Sequence, residues 1–251
     1  MTIHLPQSLN EALHLYRRKP DSLIYSGGTY ILQSQRSKFI HLPEDVISLQ
    51  RIEELQRFVA TERAVEIGAT VSIESIQALG KDILPDVFVH ALRHVGPPGI
   101  ASFATLGGNL CIRHYNISML PVIHVLDARI ELRRQGHSHW LTVPRFRKED
   151  GSVGLDESEI LTRIRIPTGT WNVQVYRRFG AGYGPKETSL TFAALARTEK
   201  GVVEDLRLCF GATDGRVLRN REMEVELVGH SLPLGRREYG IGMTGIQDVM
   251  R

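Results

Sequence analysis

The sequence has 251 residues, 42% of them hydrophobic and 24% charged, enough to bury a sizeable core as one large domain or two of ordinary size. Lysine and arginine number 31 against 28 acidic residues, and the net charge of +3, with its basic pairs short and scattered, excludes a nucleic-acid footprint. Cys111 and Cys209, the 2 cysteines, form no CxxC pair, which excludes both a disulfide framework and an iron–sulfur cluster held by this chain alone. No apolar run reaches signal-peptide or membrane-span character, so the expected setting is cytoplasmic.

Ser8-Leu9-Asn10-Glu11 reads as a capping box, and Leu9, Ala12, Leu13 and Tyr16 follow at helical spacing, predicting an amphipathic helix over 8–18. Pro20-Asp21 breaks it. Leu23-Ile24-Tyr25 then predicts a strand that delivers a Gly-Gly loop, and Phe39–Leu42 and Val46–Leu49 predict two more strands separated by Pro43. A first β-α-β lobe thus ends near residue 50. Thr61-Glu62-Arg63 is expected to turn a hairpin, Ser72 to cap a helix stopped by Gly80, and Pro85 to open the next helix, closing at Val95-Gly96. Met119–Leu126 predicts a buried helix with Pro121 in its first turn, and Gln135-Gly136 turns a second hairpin. A strand over 160–166 is stopped by Pro167. Beyond a boundary at Thr168-Gly169-Thr170 come strands at Val173–Phe179, Leu190–Arg197 and Val202–Phe210, then a helix over 219–228. The tail after Gly229 is Gly-rich and weakly patterned, and no element is assigned to it. The fold class is α+β with small mixed sheets.

Two stretches carry the candidate chemistry. Tyr25-Ser26-Gly27-Gly28-Thr29-Tyr30 and Ala104-Thr105-Leu106-Gly107-Gly108-Asn109 are glycine-rich, and Val95-Gly96-Pro97-Pro98-Gly99 precedes the second. Both are expected to be irregular backbone whose N–H groups approach an anionic group such as a pyrophosphate, with hydroxyl and amide side chains beside them. Neither forms the G-x-G-x-x-G of a doubly wound dinucleotide fold. His137 and His139, at i, i+2, and His90 and His94, at i, i+4, lack a third ligand or the glutamate of H-E-x-x-H, so neither pair is assigned a metal. Cys111 sits between Leu110 and Ile112 and reads as inert packing; Tyr30 and Tyr183 read as packing aromatics.

The order of these motifs resembles the FAD-binding medium subunit of the molybdenum hydroxylases, the carbon monoxide dehydrogenase and xanthine dehydrogenase group. The two Gly-Gly stretches, Ile67-Gly68-Ala69-Thr70-Val71, Leu126-Asp127-Ala128 and Glu159-Ile160-Leu161 through Ile166-Pro167 occur in that family's order, covering roughly residues 4–168. The resemblance implies a two-lobed FAD-binding domain of the CO dehydrogenase flavoprotein (PCMH) type over 1–168, with lobes 1–50 and 51–168. A shortened antiparallel-sheet-plus-helix domain would follow over 169–251. It implies that FAD, bound non-covalently, contacts Tyr25, Ser26, Gly27, Gly28, Thr29, Tyr30, Ile100, Thr105, Gly107, Gly108, Asn109, Ser118, Ile160, Leu161 and Arg178, with Ile160 and Leu161 at the adenine end. Partners would be a molybdopterin-containing large subunit and a [2Fe-2S] small subunit, with NAD+ or another acceptor taking electrons. The sequence departs from the family at Ala101-Ser102, where Arg-Asn is usual, at Ser118, where aspartate is usual, and at Gly182, where arginine is usual. A scaffold with a decayed flavin site, a stand-alone flavin oxidoreductase and a nucleotide-binding regulatory module are the alternative readings.

Overall fold

The computed structural model describes residues 1–35, 39–113, 117–148, 150–180, 189–212 and 215–250. The chain opens with β1 (Thr2–His4), α1 (Leu9–Arg18), β2 (Leu23–Tyr25), α2 (Thr29–Gln33) and β3 (Asp45–Ser48). Ser8 Oγ accepts from the Glu11 N–H at 3.2 Å, and the Glu11 carboxylate returns to the Gln7 N–H at 2.8 Å, a reciprocal cap reaching one residue further upstream than the usual box. The strands form a parallel sheet in the order β1-β3-β2, centred on the buried Val46 and Ile47. The expected strand at Phe39–Leu42 is absent. Phe39 and Ile40 lie exposed in a loop, because the edge beside β3 is already taken by Thr2–His4, a segment too short to show alternation.

Next come β4 (Phe58–Ala60), β5 (Ala64–Gly68), α3 (Ile73–Leu79), α4 (Asp86–Leu92), α5 (Pro98–Ala101), α6 (Leu106–Leu110), α7 (Leu120–Val125), β6 (Arg129–Arg134), β7 (His137–Thr142), α8 (Val143–Phe146) and β8 (Ile160–Pro167). The five strands make an antiparallel sheet in the order β4-β5-β8-β6-β7. Ser72 caps α3 through its hydroxyl and Gly80 ends it at φ 70°, a backbone conformation that favours glycine. The chain then passes to an antiparallel sheet ordered β12-β11-β10-β9, made of β9 (Val173–Phe179), β10 (Leu190–Glu199), β11 (Val202–Gly211) and β12 (Val217–Leu218). It finishes with α9 (Arg221–Leu227) and α10 (Arg236–Met250). The last helix lies in the weakly patterned tail, to which the sequence pattern assigns no element.

The main core fills the space between the five-stranded sheet and α3, α4 and α7, with Phe88 and Phe146 fully buried, and it runs on through Tyr176, Ala193, Leu195 and Cys209 into the last sheet. A smaller core gathers Leu9, Leu13, Ile47, Leu49, Ile52 and Leu55. Its last member, Ile160, opens β8, so the first lobe is packed against the start of the central strand of the second sheet. Between the lobes the chain leaves a cleft.

Candidate functional site at the junction of two glycine stretches

The two Gly-Gly stretches meet. The Ser26 hydroxyl donates to Thr105 Oγ1 at 3.2 Å, and a Cβ on Gly27 would stand 1.9 Å from the Phe103 carbonyl oxygen. Only glycine lets the two backbones lie this close. Gly28 adopts φ 68° at the start of α2 and provides no side-chain cap. The N–H groups of Gly27, Gly28 and Thr29 donate to no group among the described residues, as expected for the uncapped first turn of a helix. Here the expectation of amides aimed at an anion fits the geometry.

The second stretch is built differently from the expected loop: Leu106–Leu110 is a helical turn. Thr105 caps it, accepting from Gly108 N–H at 3.2 Å, while Gly107 N–H donates to Ala69 O at 2.9 Å and Leu106 N–H to Val71 O at 3.2 Å. These amides are spent inside the protein. Gly107 serves close packing, since a Cβ there would stand 2.7 Å from the Ala69 methyl. What the stretch offers a ligand is the bare Cα of Gly108, the Thr105 hydroxyl and the Asn109 side chain. The Gly-Gly pair in the sequence signalled close approach, but not that the approach is to Ala69.

Around this junction lies a cavity of about 530 Å³, inside the range of about 300–1,000 Å³ typical of small-molecule sites. Of the expected residues, Ser26, Gly27, Gly28, Thr29, Tyr30, Ile100, Thr105, Gly107, Gly108, Asn109, Ile160 and Leu161 line it. Tyr25, Ser118 and Arg178 do not. The Tyr25 ring packs behind Gly28, its nearest carbon 2.6 Å from where a Cβ would stand. Arg178 donates to Ser118 Oγ at 2.6 Å and to the His94 carbonyl at 3.2 Å, tying β9 to the turn before α7, and burial depresses its pKa. The family's aspartate position thus holds a hydroxyl against this guanidinium. Gly182 and Tyr183 lie outside the described residues. Sequence reasoning missed Tyr16, Thr70, Arg113, Leu155 and Glu159 as lining residues; Ala69-Thr70 and Glu159 stand inside quoted motifs, and Arg113 follows the second one closely.

The polar atoms of the wall fit a polar ligand. Ser22 Oγ, Thr70 Oγ1, Asn109 Oδ1 and Glu159 Oε1 are buried without a hydrogen-bond partner among the described residues, and all four side chains belong to residues lining this one cleft. Buried polar atoms are otherwise almost always paired. Unspent amides, a glycine-bared wall and unsatisfied polar groups are together what a nucleotide with a diphosphate and ribitol chain requires. Cys111 lines the cleft as well, but burial pushes its thiol up to about 12 against the pull of Arg147 and Arg113, so it stays protonated and unreactive. His137 and His139 stack at 5.2 Å, with His139 Nδ1 3.7 Å from Glu159 Oε1, and no group of three or more metal-ligating side chains occurs among the described residues. α4 ends at Leu92, so His94 does not share a helix face with His90.

The family described as FAD binding domain in molybdopterin dehydrogenase matches residues 1–169 of the 251. The chain belongs to that family. As a member of it, the chain is similar to the glyceraldehyde dehydrogenase medium chain of Sulfolobus acidocaldarius, 25% identical over 230 residues, 90% of this chain and 80% of that one. It is 26% identical over 173 residues to the nicotinate dehydrogenase FAD-subunit of Eubacterium barkeri, covering 64% of this chain and 56% of that one. With aldehyde oxidase 1 of Bos taurus it shares 28% identity over 246 residues, 91% of this chain but only 17% of that longer protein. Among solved structures, quinoline 2-oxidoreductase from Pseudomonas putida 86 matches with TM-score 0.84 and 20% identity over 98% of this chain and 84% of that chain. The Cu,Mo-CO dehydrogenase matches with TM-score 0.81 and 19% identity over 98% of this chain and 94% of that chain. At such identities the structures establish the fold, an FAD-binding domain of molybdopterin dehydrogenase type followed by an antiparallel sheet with helices. No helix among the described residues is long and apolar enough to cross a membrane.

Proposed function

We propose that this chain is the flavoprotein subunit of a multi-subunit molybdenum hydroxylase, an oxidoreductase in which a molybdopterin subunit oxidises the substrate and a [2Fe-2S] subunit relays the electrons to FAD held here. The observation that carries the reading is the Ser26–Thr105 junction, where residues with unspent amides line a cleft whose wall also includes Ser22, Thr70 and Asn109, each with a buried polar atom that has no hydrogen-bond partner among the described residues. Bound FAD supplies two-electron exchange with NAD+ or another acceptor and one-electron exchange with an iron–sulfur cluster. The chain's residues bind and orient it. Gly27, Gly28 and Thr29 N–H donate to the diphosphate, Thr70 and Asn109 pair with the polar chain, and Ile160 and Leu161 close the apolar end. The division of labour falls near residue 168, with the flavin before it and the shortened C-terminal part docking to partners after it.

The first test is the absorbance spectrum of purified protein before and after incubation with FAD and gel filtration. A retained visible flavin band at one FAD per chain supports the reading, and bleaching by NADH would then make NAD+ the acceptor. A colourless protein that refuses FAD yet still binds partner subunits would favour the scaffold reading, which Ala101 and Ser118 motivate.

A further inference from the structure

The two ends of the cleft differ. At one end Tyr16, Ile24 and Leu49 pack with Ile160 in the small core, and the floor is enclosed, with Leu49 and Ile160 each 3% exposed. At the other end the lining passes through Gly96 and Pro97 to Ile100, which is 41% exposed. A redox ring must reach its electron partners, so the open Ile100 end suits the isoalloxazine and the enclosed end suits the group that takes no part in electron transfer. Arg113 stands over that enclosed end. It is exposed, it lines the cleft with Tyr16 and Cys111, and its guanidinium acts electrostatically on both the Tyr16 phenol and the Cys111 thiol. The Tyr16 phenol is raised by burial, with Arg113 opposing, so the ring that lines this end is neutral. Glu157 is the other charge acting on Tyr16, and Glu159 is the carboxylate of the lining; its Oε2 accepts from Asp156 N–H at 3.0 Å.

We infer that Arg113, together with the Tyr16 ring, clasps the purine of the dinucleotide at this enclosed end and thereby sets a preference for FAD over the mononucleotide FMN; the inference rests on the reading of the cleft as the flavin site. A planar, delocalised guanidinium stacks on an aromatic face and adds a cation to it. FMN reaches the open end and the amides but leaves the clasp unfilled.

The test is isothermal titration of FAD, FMN and ADP into the wild type, Arg113→Gln, Arg113→Lys and Tyr16→Leu, with melting temperature as the folding control. Arg113→Gln should weaken FAD and ADP about tenfold while leaving FMN within about twofold, and lysine should restore only part of the loss. Tyr16→Leu should weaken the same two ligands. FAD and ADP binding unchanged in Arg113→Gln and Tyr16→Leu would overturn the clasp while the flavin reading stands. Weakened FMN and FAD with ADP unaffected would put the flavin ring at this end and overturn it too. A wild type that binds none of the three would sink the flavin reading itself and the clasp with it.

Discussion

Gly27 is the residue on which the two stretches close. With a Cβ 1.9 Å from a backbone oxygen, Gly27→Ala has no side-chain relaxation open to it and must push Ser26 away from Thr105. We expect loss of most FAD retention after gel filtration with a fall in stability of about 1–3 kcal/mol, the scale of overpacking a close contact; wild-type flavin content in this variant would refute the junction. Gly107→Ala presses the Ala69 methyl instead and tests packing, so it should cost stability more than binding. The sequence made both pairs conspicuous, since doubled glycines flanked by hydroxyl residues are rare inside regular elements. It could not tell them apart. Whether an amide is free or bonded depends on Ala69 and Val71, some forty residues upstream of the second pair and brought to it only by the fold.

At the scale of elements, α7 and the middle sheet carry the titrating groups. His124 lies buried near the end of α7, and burial, aided by Arg219 and Arg221, pushes its pKa down to about 4. It is neutral in the fold, whereas the unfolded chain takes up a proton below about 6.5, so stability falls as pH drops from 6.5 towards 4. Glu131 behaves as the next stage: burial raises its pKa, but hydrogen bonds from Arg163, Thr162 and Arg133 win and hold it at about 2. Its contribution is whole above about 4.5 and is lost as pH falls towards 2. Melting temperature against pH should therefore decline in two steps, and His124→Gln should flatten the upper one. A profile level between pH 6.5 and 4 would contradict the burial of His124.

α10 illustrates what local pattern cannot carry. Gly240, Gly242 and Gly245 depress helix propensity, and the segment has little apolar periodicity, so it read as a tail. The helix is held by α9. A Cβ on Gly245 would stand 2.7 Å from Met223 Cβ, and Asn220 Nδ2 donates to the Gly245 carbonyl at 3.2 Å. Gly240 meets nothing within 4 Å. Gly240→Ala should then stabilise by about 0.5–1 kcal/mol and Gly245→Ala should destabilise, measured by chemical denaturation. Equal signs for the two would mean that α10 does not pack on α9. Four helices of the first 130 residues, α1, α3, α4 and α7, were legible for the opposite reason: Ser8, Ser72, Gly80, Pro85 and Pro121 punctuate them within the local sequence, whereas the short α2, α5 and α6 read as loops.

Across the whole molecule, α7 is the bolt between the flavin domain and the last sheet. Arg178 of β9 grips Ser118 before its start, and Arg207 and Arg219 donate to the Val125 and His124 carbonyls at its end, at 3.0 Å each. Asp127, in the left-handed region at φ 50°, then receives Arg207 at 2.7 Å, Arg219 at 3.1 Å and Arg221 at 3.4 Å. Leu126-Asp127-Ala128 was recognised as a motif, but its arginines come from eighty or more residues downstream, and no local pattern announces them. Asparagine tolerates the same backbone conformation, so Asp127→Asn removes the charge alone. Because Asp127 is partly exposed, the cost should be modest, about 1 kcal/mol, yet cleavage between residues 168 and 172 by added protease should quicken. An unchanged digestion rate would show that apolar packing of α7 suffices to hold the joint.

The contrast between the two glycine stretches has a consequence in time. The amides of Gly107 and Gly108 are locked by Ala69 and Thr105 whether or not a nucleotide is present, while those of Gly27, Gly28 and Thr29 have no acceptor among the described residues. In deuterated buffer the Gly107 and Gly108 amides should exchange slowly throughout, and those of Gly27, Gly28 and Thr29 should exchange within seconds until FAD arrives and then fall silent. One wall of the cleft is a finished anvil; the other is set against it by the ligand.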